Sequence, residues 1–177
     1  SYNGRTLKNR ALLHNFRINL FQRNAHNYVL TSGFGNLDTL VLDENGACGH
    51  VSSFTGLEDA VNLTLLQVAN MSLSGPYDFD GLTASTLQLV GCTNWLYFKN
   101  NLTTNIILDS CSFHTLQVLD NPLLSKIDFQ NSNNTIGGGG GGNLVQIFNN
   151  NSLQTLDFSN INLLTGSGLS VMVNASL

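Results

Sequence analysis

The chain has 177 residues, enough for one domain that buries about 70% of its unfolded surface. It is 42% hydrophobic but only 10% charged, against roughly 25% charged in a typical soluble domain, which excludes a disordered chain, poor in apolar residues and rich in charge. The polar surface therefore has to come from Asn, Ser, Thr and Gly, and 25 residues are asparagine; such a surface is kept soluble by sugars or covered in an assembly, so an extracellular or cell-surface protein is expected.

Residues 1–29 hold Arg5, Lys8, Arg10, Arg17 and Arg23 and no acid, a net charge of +5. Residues 30–177 hold Lys99 and Lys126 against eleven acids, a net of −9, and the two give the −4 of the whole. Cations spread this thinly, with apolar residues between them, make a poor nucleic-acid patch. No nucleic-acid partner is expected; an acidic partner surface is, another copy of this chain included. "NFRINLFQRN" (15–24) alternates Phe16, Ile18 and Leu20, with Arg17 and Arg23 alongside, and these five are candidate assembly contacts. Residues 1–29 read as a basic extended arm or a first coil. Residues 30–177 read as repeats, part of a longer chain or capped by a neighbouring subunit, because "GLSVMVNASL" (168–177) is strand-like and carries no polar cap.

Apolar pairs spaced by two, the mark of a half-buried strand, follow in chain order. They are Phe16/Ile18, Leu40/Leu42, Leu66/Val68, Tyr77/Phe79, Leu87/Leu89, Leu96/Phe98, Ile106/Leu108, Leu116/Val118, Ile127/Phe129, Leu156/Phe158 and Leu169/Val171. From Tyr77 to Ile127 the steps are ten, nine, ten, ten and eleven residues, so three steps make about 29. At an offset of 29, "LSKIDFQNSN" (124–133) overlays "LQTLDFSNIN" (153–162) with five of ten positions identical. The same offset lays "TLQL" (86–89) on "TLQV" (115–118) and Leu116 on Val145.

Each unit is then one coil of an all-β, three-sided parallel β-solenoid, with three short strands in about 29 residues. Its corners are rich in Asn, Gly and Asp, which tolerate left-handed backbone and hydrogen-bond their own main chain. Asparagines repeated in one corner would form an internal ladder. A β-sandwich, which also has short strands every ~8–12 residues, is the alternative; it does not require the recurrence. Helix signals reduce to "LEDAVNLTLLQVAN" (57–70), which carries strand signals as well.

Candidate sites are few. Six Asn-x-Ser/Thr sequons, at Asn62, Asn70, Asn101, Asn133, Asn150 and Asn174, are candidate glycosylation sites. Asn70 and Asn174 directly follow strands, where a ladder asparagine is the competing reading. Cys92 and Cys111 lie in matching contexts, "LQLVGC" and "IILDSC", and are a candidate disulfide if adjacent coils bring them together. Three small buried side chains, Cys48 included, are the other reading.

"TIGGGGGGN" (135–143) lacks the Lys-Ser/Thr and the following helix of a phosphate loop, and reads as an exposed insertion at a corner. His14, His26, His50 and His114 show no metal-ligand spacing, and "TGSGLS" (165–170) is not a nucleophile elbow. No catalytic residue, cofactor or metal is expected. Asp128 and Asp157 fall one coil apart, ~4.8 Å, near the ~5–5.5 Å of a retaining glycosidase. With Lys126 as the only base beside them, they read as surface aspartates. No stretch approaches the ~20 apolar residues of a membrane-spanning helix.

"LDTLVLDEN" (37–45), "ASTLQLVGC" (84–92) and "TNIILDSC" (104–111) resemble leucine-rich repeats, although apolar pairs here recur about every ten residues instead of once per ~20–29. Residues 116–177, above all "GGNLVQIFNNNSLQTLDFSNINLLTGSGLSVMVNASL" (141–177), resemble receptor L-domains and fungal cell-wall surface proteins. The resemblance implies a right-handed β-helix with a cell-surface, non-catalytic role, and no family binding residue maps onto this chain. The expected function is an extracellular structural or adhesive glycoprotein that stacks head to tail into a filament. A recognition module for protein or glycan is the alternative, and a carbohydrate-active enzyme comes third.

Overall fold

The computed structural model describes residues 38–43, 60–73, 79, 82–131, 133–137, 144–164, 168–172 and 174–177. In chain order the strands are β1 (Thr39–Asp43), β2 (Leu65–Ala69), β3 (Ser72–Leu73), β4 (Thr86–Val90), β5 (Thr93–Lys99), β6 (Asn105–Asp109) and β7 (Ser112–Leu119). They continue as β8 (Lys126–Gln130), β9 (Asn134–Ile136), β10 (Leu144–Phe148), β11 (Thr155–Leu156), β12 (Ile161–Leu163) and β13 (Gly168–Met172). Among the described residues there is no helix; the part of 57–70 that is described as regular structure is strand β2.

The first face is the sheet β1-β2-β4-β6-β8-β11. The second is a column of short segments: β3, the starts of β5 and β7, then β9 and β12. The third is made by the ends of β5 and β7, followed by β10 and β13. β5 and β7 each bend from the second face onto the third. The register shifts there, since Asn94 pairs with Phe113 but Trp95 with Thr115, so His114 is one extra residue at the bend. All these pairings are parallel, and the chain winds as a three-sided β-solenoid of about five turns.

The coil length needs a correction. Leu65 pairs with Thr86, Thr86 with Asn105 and Asn105 with Lys126, offsets of 21, 19 and 21 residues. The offset of 29 holds for Lys126 with Thr155 and for Thr115 with Leu144. It fails for 86–89 on 115–118, which lie on the first and third faces. The physical reason is that the second face is too short to carry an apolar pair: its inward residues come singly, as Phe113 and Ile136. A central coil therefore shows two pairs, not three. Most of the added length of the longer coil lies between Ile136 and Leu144, where the glycine run falls, so the insertion leaves the strand register intact.

One residue in two points inward. Leu40, Leu66, Leu87, Ile106 and Ile127 stack along the first face, and Leu96, Leu116 and Val145 along the third, all at most 1% exposed. Each buried side chain contributes roughly 1.5–3 kcal/mol. A third inward column precedes the first face: Leu63, Ala84, Thr103, Leu124 and Leu153 are all buried. After them come Thr64, Ser85, Thr104 and Ser125, whose hydroxyls each donate to the carbonyl one coil earlier, of Asp38, Thr64, Ser85 and Thr104, at 2.7–3.0 Å.

Thr103 is the misfit in its column. It is fully buried and its Oγ1 has no hydrogen-bond partner. Thr103→Val keeps the shape and removes the stranded hydroxyl, so it should stabilise the fold by about 1 kcal/mol. A denaturant midpoint that falls instead of rising would refute this.

Candidate functional site

The corners past the first and third faces are built from the residue after a strand. Asn70, Gly91, Ser110 and Asn131 follow β2, β4, β6 and β8, all with φ between 54° and 61°. Asn100, Asp120 and Asn149 follow β5, β7 and β10 at 54–55°. Left-handed backbone suits Asn, Asp and Gly because a short polar side chain or none relieves the clash with the carbonyl. At Gly91 a Cβ would also sit 2.9 Å from Asn70 Oδ1.

The residue after the left-handed one turns inward and forms a ladder. Past the third face the ladder is asparagine. The backbone N–H of Leu82 donates to Asn101 Oδ1 (2.9 Å), that of Asn101 to Asn121 Oδ1 (3.0 Å), that of Asn121 to Asn150 Oδ1 (3.1 Å), and that of Asn150 to Asn174 Oδ1 (3.0 Å). The amide nitrogens donate inward, Asn101 to the Lys99 carbonyl, Asn121 to Leu119, Asn150 to Val118 and Asn174 to Ile147. Asn101, Asn121 and Asn150 are completely buried.

The ladder changes the standing of the sequons. A glycan on Asn101 or Asn150 would have to leave through packed backbone, so neither can carry one in this fold. Asn174 is half-buried and committed in the same way. The hydroxyls of the last two sequons serve the corner: Ser152 Oγ donates to the Pro122 carbonyl and Ser176 Oγ to the Asn151 carbonyl, each at 2.6 Å, whereas Thr103 of the Asn101 sequon is the buried hydroxyl without a partner. Asn70 is exposed, but its amide donates to Asp43 Oδ1 at 2.9 Å. Asn62 and Asn133 are exposed. Asn121, outside any sequon, is the member that motif reading misses. Its signal is Asn-x-x-Leu, seen at Asn121/Leu124, Asn150/Leu153 and Asn174/Leu177, where the leucine N–H donates back to the asparagine carbonyl.

Past the first face the same position holds Cys92, Cys111 and Asn134. The candidate disulfide is not formed. Both residues are thiols: Cys92 Sγ lies 3.4 Å from the Val68 carbonyl and Cys111 Sγ 3.4 Å from the Leu89 carbonyl, each one coil earlier. A hydrogen bond with Cys92, and burial after it, push the Cys111 thiol far above the usual range, so it stays protonated. Asn134 Oδ1 accepts the Cys111 N–H at 3.0 Å, as in the asparagine ladder.

The outward surfaces differ in chemistry. The first face carries Asp43, Asp109, Lys126 and Asp128. Asp128 is held by Lys126 Nζ at 2.9 Å, while Asp157 Oδ1 accepts the Ser159 N–H at 2.8 Å. The β8–β11 pairing ends at Ile127 with Leu156, one residue short of these aspartates. The third face presents Trp95, which is 50% exposed, and the row Tyr97–Gln117–Gln146–Ser170. Next to that row lie Lys99, Phe148 and Met172.

In the last described coil two inward positions are uncovered, while Leu156, Phe158, Ile161 and Val171 stay partly buried against the core. Leu163 pairs with Ile136 and Leu169 with Val145, yet the two leucines are 39% and 47% exposed while their partners are at most 1%. The basic segment with Phe16, Arg17, Ile18, Leu20 and Arg23 lies outside the described residues, as does Cys48. Among the described residues no helix is long and apolar enough to cross a membrane.

These features define the class: a parallel β-solenoid with an internal asparagine ladder. Compared with protein-family models, curated proteins and solved structures, the chain matches none.

Proposed function

We propose that this protein is an extracellular structural or adhesive solenoid without catalytic chemistry of its own, and that a second copy stacks on its uncovered coil. The observation that carries the reading is the exposure of Leu163 and Leu169 at positions in register with a dry core. A parallel coil has an open backbone edge that accepts another strand as readily as it continues its own sheet. Charge favours a copy of the same chain as the occupant, because residues 1–29 carry +5 and the remainder −9. A contact of unlike ends builds a filament when it does not close. The sparsely charged, Asn-rich composition and the exposed sequons at Asn62 and Asn133 support an extracellular, glycosylated setting.

Sedimentation velocity and electron microscopy of the native chain test this, with glycopeptide mass spectrometry on the same sample. Expected are concentration-dependent assemblies that weaken with salt, their loss in Leu163→Lys/Leu169→Lys, and glycan at Asn62 or Asn133 but none at Asn101 or Asn150. A bare monomer at every concentration sinks the reading.

A further inference from the structure

We propose that the flat outward face of β5, β7, β10 and β13 docks a neutral polysaccharide chain. It uses a different surface from the end-stacking above and does not depend on it. From Trp95 to Lys99 and through the matching stretches of the other three strands, the register is unbroken, so the side chains form a level grid. On that grid Trp95 is half exposed, and Tyr97 and Phe148 are half-buried rings. Gln117 and Gln146 stand between them, bonded amide to amide, with Gln117 donating. One donor set and one acceptor of the pair are left over for a ligand.

The chemistry of the face selects its occupant. Pyranose rings offer C–H faces that lie against aromatic rings, and rim hydroxyls that both donate and accept, which suits Gln, Ser and Thr. Lys99 is the only charged side chain the grid displays, and Asp120 holds it at 3.9 Å. No cation cluster is present there to bind uronate or sulfate, so the chain should be neutral. Four strands ~4.8 Å apart and five residues at ~3.3 Å give roughly 300 Å², well below the ~800 Å² per partner of a stable protein interface. That area suits a few sugar rings and is too small to hold a second copy.

Trp95 is the only tryptophan, so its fluorescence reports on this face alone. The full chain is titrated with cellohexaose, chitohexaose and laminarihexaose. A saturable spectral change with at least one of them is expected, weakened about tenfold in Tyr97→Ala, which keeps the reporter. Sedimentation with the matching insoluble polysaccharide should be lost in Trp95→Ala, with the far-UV circular dichroism of both variants unchanged. The proposal is overturned by silence with all three sugars, by binding that survives both substitutions, or by binding confined to polygalacturonate. A spectral change that follows protein concentration without sugar would place a second copy on the face and overturn it equally.

Discussion

Asn121→Ala is expected to destabilise the solenoid by about 3–5 kcal/mol, a large share of the ~5–15 kcal/mol that holds a domain together. The side chain closes two sets of bonds at once. Its Oδ1 accepts the N–H of Asn101 at 3.0 Å, and its Nδ2 donates to the Leu119 carbonyl at 2.9 Å and to Asn150 Oδ1 at 3.0 Å. Asn101 and Asn150 are both fully buried, so no water replaces the lost partner. Each stranded polar group costs about 1–3 kcal/mol. Asn121→Asp separates bonding from packing: it keeps the shape and the acceptor, loses both donors and buries a charge, and should cost at least as much. Asn133→Ala, at an exposed position, should stay within about 0.5 kcal/mol of the parent. Urea unfolding followed by circular dichroism decides the matter. Equal midpoints for Asn121→Ala and Asn133→Ala would mean the ladder is ornamental.

Phe98→Ala should cost about 3–5 kcal/mol, the range for a large ring removed from a packed core. Phe98 is fully buried, pairs in register with Val118 and has its ring centroid 5.8 Å from that of Phe79. Phe158→Ala is the instructive partner. That ring stacks on Phe129 at 5.7 Å but belongs to the uncovered coil and is only part-buried. Neighbours at an open end relax into the gap, and part of the area was never removed from water, so the loss should stay below about 2 kcal/mol. Thermal melts at low protein concentration read the difference. Identical losses would contradict a core that thins toward that coil.

The gap between motif and structure is sharpest at the sequons. Asn62 and Asn150 both head an Asn-x-Ser/Thr triplet, yet one is exposed and the other fully buried. The triplet itself does not separate them; the residue before it does, Asn149 in left-handed backbone against Val61. Asn150 is held by Asn121, 29 residues earlier, and by Asn174, 24 residues later. A corner that needs an inward amide followed by a hydroxyl writes the same triplet as a glycan acceptor.

Alternation is a local property, and local spacing alone determines what it controls here. Leu87/Leu89, Ile106/Leu108 and Ile127/Phe129 announce strands with one dry side because successive side chains in a strand point to opposite faces. The turn residues announce corners because few side chains accept left-handed backbone. Strands and corners of this spacing also fit a β-sandwich, and the recurrence of one register 29 residues on, as at Ile127 and Leu156, is what points to the parallel solenoid. Tertiary structure decides which coil lies on which, since pairing Leu87 with Ile106 instead of Leu116 is a contact between distant residues that ten-residue spacing leaves open. It also decides that Cys92 and Cys111 stack as thiols on carbonyls, and that Leu169 meets water where Val145 meets core. Burial is set by neighbours a full coil away, and no window along the chain contains them.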